Sequence, residues 1–80
     1  MKLPRDLSGN DLVKVLCRDW DYRRVHQEGS HIILETDDPT HQRIAIPAHR
    51  SLRMGTLNAI LRAVTVHKGI ARDALLESLS

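Results

Sequence analysis

Residues 29–36 read Gly29-Ser30-His31-Ile32-Ile33-Leu34-Glu35-Thr36, and this stretch decides the fold. A glycine at a strand edge permits a tight bend and close backbone approach. The run after it is rich in β-formers, and successive side chains of a strand point to opposite faces. A strand over 30–36 therefore places Ser30, Ile32, Leu34 and Thr36 on one face and His31, Ile33 and Glu35 on the other. The first face suits burial under helices. The second leaves Ile33 beside His31 on an exposed sheet surface, an apolar point at which a partner could dock.

Working outward, Tyr22–Gln27 reads as a preceding strand with poor alternation, joined to 30–36 by a turn at Glu28-Gly29. Asp37-Asp38-Pro39-Thr40 is a turn cluster, in which two adjacent carboxylates serve the turn rather than catalysis. Gln42–Ile46 follows as a third strand, stopped by Pro47. Toward the N-terminus, Ser8-Gly9-Asn10-Asp11 opens a helix, with Ser8 as N-cap and Asp11 placed to close a capping box. Leu12, Val15, Leu16 and Trp20 give that helix its apolar stripe. Pro47–Arg53 has no period and reads as a loop. Gly55-Thr56 leads into a second helix, whose stripe is Leu57, Ile60, Leu61 and Val64 and whose stop is Gly69. Ile70, Ala74, Leu75 and Leu79 suggest a short C-terminal helix. The order predicts one α+β domain over residues 1–80, with a three-stranded antiparallel sheet and helices gathered on one face.

Composition narrows the classes. A chain of 80 residues with 41% hydrophobic and 28% charged residues is ordinary for a globular domain. Its core is small, and a domain of this size holds only about 3–5 kcal/mol unless something supports it. The single cysteine, Cys17, excludes an internal disulfide and reads as a small buried hydrophobe of an intracellular, cytoplasmic protein. Met1–Asn10 has no apolar leader, and no run approaches the length of a membrane span. The net charge of +2 conceals an asymmetry. No Asp or Glu occurs from Pro39 to Ala71, a stretch that holds Arg43, Arg50, Arg53, Arg62 and Lys68 and three histidines. Such a block suits a polyanion such as RNA, and equally a solvated basic surface. Trp20 and Tyr22 are the only aromatic residues, too few for a base-stacking platform, and read as core.

The chemistry-bearing residues are correspondingly few. There is no glycine-rich phosphate loop, no cysteine pair and no His-Glu-x-x-His pair, and no metal or cofactor is expected. His31 stands on a strand and His49 on the loop after another. Histidine is the side chain whose ordinary titration falls near neutral pH, so it can take and return a proton there. RNA carries its own nucleophile, the 2′-hydroxyl. A protein that cleaves it needs a proton-transfer group and cations for the phosphate, and no metal. On the residues alone, His31 is either such a group or an ordinary surface histidine, and the chain is either a ribonuclease or a silent RNA-binding or partner-binding module.

The ordered series Gly29-Ser30-His31, Ile46-Pro47-x-His49 and Gly55-Thr56-Leu57-x-x-Ile60-Leu61 resembles the HicA family, small mRNA-cleaving toxins of toxin–antitoxin pairs. The resemblance runs from about Ser8 to Leu79. It implies a double-stranded-RNA-binding-domain-like fold, α-β-β-β-α, to which the short C-terminal helix is an addition. It also implies mRNA as substrate, His31 as the catalytic histidine, and a HicB-type antitoxin as inhibitor in a hetero-oligomer. Gly29, Ser30, His49, Arg50, Arg53 and Lys68 are the supporting or RNA-contact candidates. One departure stands out: where the family has a Gly-aromatic pair before the first strand, this chain has Trp20-Asp21-Tyr22.

Overall fold

The computed structural model describes residues 7–79; the first six residues, within the stretch read as lacking a leader, and Ser80 lie outside the described residues. Helix α1 spans Gly9–Asp19 and starts where expected. The Asp11 backbone N–H donates to Ser8 Oγ at 3.0 Å, which satisfies one of the helix's unpaired N-terminal donors. Its buried line is Gly9, Leu12, Val13 and Leu16, and Val15 is only half-buried. The predicted stripe is corrected by a small rotation, because the helical repeat is counted from buried Gly9 rather than from Leu12.

The three strands are β1 (Arg23–Glu28), β2 (His31–Thr36) and β3 (Gln42–Pro47), an antiparallel meander with β2 in the centre. β1 is exposed along its whole length, and a bulge between Arg24 and His26 interrupts its register. The bulge is the reason its sequence alternates poorly. On β2, Ile32, Leu34 and Thr36 have no exposed surface and face the helices, as the alternation predicts. Ile33 departs from the reading. It retains only 7% exposure on the opposite face, so it is no apolar docking point. It occupies the middle of the central strand, between cross-strand partners His26 and Ala45.

Helix α2 spans Met54–Lys68 and buries Leu57, Ile60, Leu61 and Val64, as predicted. It ends at Gly69, whose φ of 66° is a left-handed conformation that glycine adopts at little cost. Helix α3 spans Arg72–Ser78 and buries Leu75 and Leu76. Ala74, expected in its apolar stripe, is exposed, and Leu76 takes that place. Side chains of all three helices and the inner face of the sheet form one core. The α-β-β-β-α order with a short extra helix is the predicted α+β fold. No helix among the described residues is long and apolar enough to cross a membrane.

The link from α1 to β1 resolves the departure at Trp20-Asp21-Tyr22. Asp21 has φ 62°, the one described non-glycine residue in the left-handed region. Aspartate tolerates that conformation better than most residues, so it does the bending that glycine would do. Both neighbouring aromatics join the core. Trp20 Nε1 donates to Ser78 Oγ at 2.9 Å, tying the end of α1 to α3. Tyr22 is buried, and its hydroxyl donates to Gln42 Oε1. Gln42 Nε2 in turn donates to the Ala63 carbonyl of α2 at 3.1 Å. Cys17 packs half-buried against this core, and burial pushes its thiol pKa up, away from thiolate chemistry.

Burial pushes the Tyr22 hydroxyl up to about 12 from its ordinary value. A folded-state pKa above the unfolded one means that this group's contribution is complete below about pH 10 and is lost as pH rises through the folded value. Because Tyr22 is the only tyrosine, phenolate absorbance reports it alone. The expected midpoint in the folded protein is about 12. A midpoint at the ordinary tyrosine value in a still-folded chain would contradict its burial.

Candidate active site

Antiparallel pairing brings the start of β2 and the end of β3 to the same end of the sheet, where His31 lies opposite Pro47 on one side and Glu28 on the other. Gly29 and Ser30 form the two-residue connection from β1, and Gly29 has φ 56°. This is the turn that its glycine predicts. The ladder then continues beyond the strands. The Ala48 N–H donates to the Ser30 carbonyl at 2.6 Å, which holds the loop after β3 against the turn before His31.

The first turn of α1 grips the same loop from the other side. The Gly9 N–H donates to the His49 carbonyl at 2.9 Å, and the Leu52 N–H donates to the Leu7 carbonyl at 2.9 Å. The approach is so close that a Cβ built on Gly9 would stand 1.8 Å from the Pro47 carbonyl oxygen. Helix α2 starts directly after this loop, with Arg53 at its N-cap, no side-chain cap and no acidic residue in its first turn. Two helix N-termini, each a region of partial positive charge, therefore open near this end of the sheet. That of α1 is partly offset by Asp11 in its first turn.

The side chains here are open to solvent. His31, His49, Arg50 and Arg53 are all exposed. Among the described residues, neither arginine forms an ion pair and the His31 imidazole has no hydrogen-bond partner. Other cations are already engaged. Arg23 and Arg43 flank Glu35 at 3.5 and 3.8 Å, and Arg23 also meets Asp37 at 2.9 Å. His41 and Arg23 together hold the Asp37 carboxyl below its usual range. Part of the acid-free block is thus neutralised by carboxylates outside it, while the 47–53 loop keeps its charge available.

The structure brings together Gly29, Ser30, His31 and His49, with Arg50 on the same loop and Arg53 at the entry to α2. It sets Lys68 apart. That residue ends α2, a 15-residue helix about 22 Å long, at the opposite end of the molecule. Its ammonium donates to Thr36 Oγ1 at 2.8 Å and to the Asp38 carbonyl, above the Tyr22 ring at 4.8 Å from the centroid. Lys68 therefore serves the packing of α2 on the β2–β3 turn rather than the His31 end. The groove lined by Gln42, Ala59, Arg62, Ala63, Val66 and His67 is likewise on that side.

Two residues of the site escape the sequence reading. Glu28 is the cross-strand partner of His31 and shares its open face, with its carboxylate 3.6 Å from His26 Nε2. The two-residue turn at Gly29-Ser30 already dictates that pairing. Gly9 is the other: a glycine inside the first turn of a capped helix is a weak helix former, and its use there signals a close approach.

An exposed imidazole at the same end of the sheet as a loop that carries two exposed arginines can move a proton on a large anionic molecule laid across the surface. Against this geometry stands one comparison. The family model described as the HicA toxin of bacterial toxin-antitoxin matches residues 9–66 of the 80-residue chain. Curated proteins and solved structures gave no match. The matched segment starts at Gly9 and contains the hairpin turn, His31 and the whole loop that faces it. The chain belongs to the HicA toxin family and so to the toxins of toxin–antitoxin systems.

Proposed function

We propose that this toxin is a metal-independent endoribonuclease that cleaves mRNA in the cytoplasm, stops translation and arrests growth, and that His31 is its catalytic residue. The observation that carries this reading is the exposed imidazole of His31, unpartnered among the described residues and mounted on the first residue of the central strand, beside a loop whose two arginines form no ion pair among the described residues. A side chain on a paired strand is held better than one on a loop.

The chemistry balances without a cofactor. The 2′-hydroxyl oxygen of one nucleotide attacks the adjacent phosphorus and loses its proton. The bond from phosphorus to the 5′-oxygen of the next nucleotide breaks, and that oxygen gains a proton. The products are a 2′,3′-cyclic phosphate and a free 5′-hydroxyl. His31 acts as base or acid in this sequence, and water or the His49 imidazole handles the other proton. Arg50 and Arg53 offset charge on the phosphate, a contribution that grows as the substrate excludes water. Gly29 and Ser30 shape the turn: Gly29 supplies its left-handed residue, and the Ser30 carbonyl holds Ala48.

The inhibitor in this reading is a HicB-type antitoxin that covers His31 and the 47–53 loop in a hetero-oligomer. With Ile33 buried, its seat is polar, made of Glu28, His31 and the loop arginines. A partner that binds only the folded toxin also stabilises it.

His31→Ala removes one exposed imidazole and leaves the core intact. Its circular dichroism and thermal midpoint are expected to match the parent, RNA affinity to stay within a few-fold, and cleavage to fall about 10²–10⁴-fold. Cleavage at the parent rate by the folded variant would remove His31 from the chemistry and favour a silent RNA-binding module.

The arginines are tested by salt. Each phosphate contact with single-stranded RNA contributes about 0.7 to the slope of log affinity against log salt. Arg50→Glu with Arg53→Glu is expected to reduce that slope and to weaken binding most at low salt. An unchanged slope would assign both side chains to the solvated surface.

A further inference from the structure

We infer that Gly9 is a positioning residue of the His31 end: by leaving empty the space of a side chain, it lets the first turn of α1 fix the loop that carries His49 and Arg50. The inference rests on the ribonuclease reading for its effect on rate, and on geometry alone for its effect on the loop.

Three observations carry it. Gly9 is buried, and the atoms a Cβ would meet are the Pro47 carbonyl oxygen at 1.8 Å, the Pro47 carbonyl carbon at 2.8 Å and Ala48 Cα at 3.1 Å. All are backbone, so no flexible side chain can yield, and the 47–49 segment and the first turn of α1 would have to move apart. Conformation is not the reason for this glycine. Gly9 lies in α1 and is absent from the positive-φ glycines, which are Gly29 and Gly69. Alanine would adopt the same backbone and favour the helix by about 1 kcal/mol. The close approach is what excludes it.

The third observation is where the contact sits. The loop is held at two successive residues by two different elements. The Ser30 carbonyl, one residue before His31, accepts from Ala48 N–H at 2.6 Å, and the Gly9 N–H donates to the His49 carbonyl at 2.9 Å. The hairpin turn and the helix together set where His49 and Arg50 lie relative to His31. Without the Gly9 bond, the next backbone ties on either side of His49 are those at Ala48 and Leu52, and the residues between them lose their fixed position. A displacement of about 1 Å at a catalytic centre can cost about 100-fold in rate, so a misplaced loop has a measurable consequence.

The test compares Gly9→Ala with Asn10→Ala, an exposed position in the same turn of α1. Both are measured well below their thermal midpoints on a short unstructured RNA, with rates normalised to the folded fraction. Histidine ring resonances and amide exchange are recorded by NMR on the same samples. Gly9→Ala is expected to lower kcat about 100-fold with KM changed less than about threefold, to shift the His49 ring resonances, and to weaken exchange protection at Ala48. Asn10→Ala is expected to match the parent in every reading. Ala48→Gly loosens the same segment with no clash and is expected to lower kcat and move His49 in the same way, so the inference stays exposed to test if Gly9→Ala does not fold. A lower thermal midpoint with unchanged kcat per folded molecule would make Gly9 a packing residue only and overturn the inference. A lower kcat with unmoved His49 resonances would overturn it as well. If the parent protein leaves the RNA intact, the ribonuclease reading fails, and the His49 resonances of Gly9→Ala decide the positioning claim by themselves: shifted supports it, unshifted overturns it.

Discussion

Strand β2 is hydrogen-bonded on both sides, and its inward residues Ile32, Leu34 and Thr36 have no exposed surface. The other elements are arranged around that strand. Its alternation decides which face the helices cover, and its first residue decides where His31 stands. A one-residue slip would exchange the two faces and turn His31 into the core, so the burial of Leu34 and the exposure of His31 are one constraint. The margin is narrow. Emptying a site such as Leu34 by substitution to alanine costs about 2–5 kcal/mol, comparable with the whole stability of a domain this small.

The two ends of the sheet are built differently. At the Thr36 end, side chains do the work. Lys68 bonds the Thr36 hydroxyl and the Asp38 carbonyl, Tyr22 bonds Gln42, and Gln42 reaches the backbone of α2. Polar groups buried there are satisfied by one another. At the His31 end, the backbone does the work. The contacts that define it run between Ser30 and Ala48, between Gly9 and His49, and between Leu7 and Leu52, all main chain to main chain. That leaves the side chains of His31, His49, Arg50 and Arg53 facing solvent. One end spends its polar side chains on packing, and the other leaves them exposed.

Much of this was legible in the sequence. The Gly29-Ser30 turn and the alternation of 30–36 gave β2 and its faces. Ser8 and Gly69 marked a helix start and a helix stop. Short apolar stripes fixed α2 well because four of its positions fall on one 3.6-residue line, and fixed α1 and α3 less well because each carries adjacent apolar residues, Val13 beside Leu12 and Leu76 beside Leu75. Ile33 was misread because strand periodicity tells which face a residue takes and not how deeply its neighbours cover it. Composition groups charges along the chain and does not separate Lys68 from the loop arginines, whereas α2 carries it to the far end of the molecule. Gly9 was invisible as a site residue, since a close approach to Pro47 is a long-range contact between segments that no local pattern records.

In the proposed reaction this surface transfers protons to and from RNA, with the RNA's own 2′-hydroxyl as nucleophile. The most direct measurement is mass spectrometry of the product ends, made on an unstructured RNA in excess chelator. The proposed reaction gives 2′,3′-cyclic phosphate and 5′-hydroxyl ends, and full resistance when the 2′-hydroxyl at the scissile nucleotide is replaced by hydrogen. Products with 5′-phosphate ends, cleavage of the deoxy-substituted strand, or activity lost in chelator and restored by a divalent ion would contradict it.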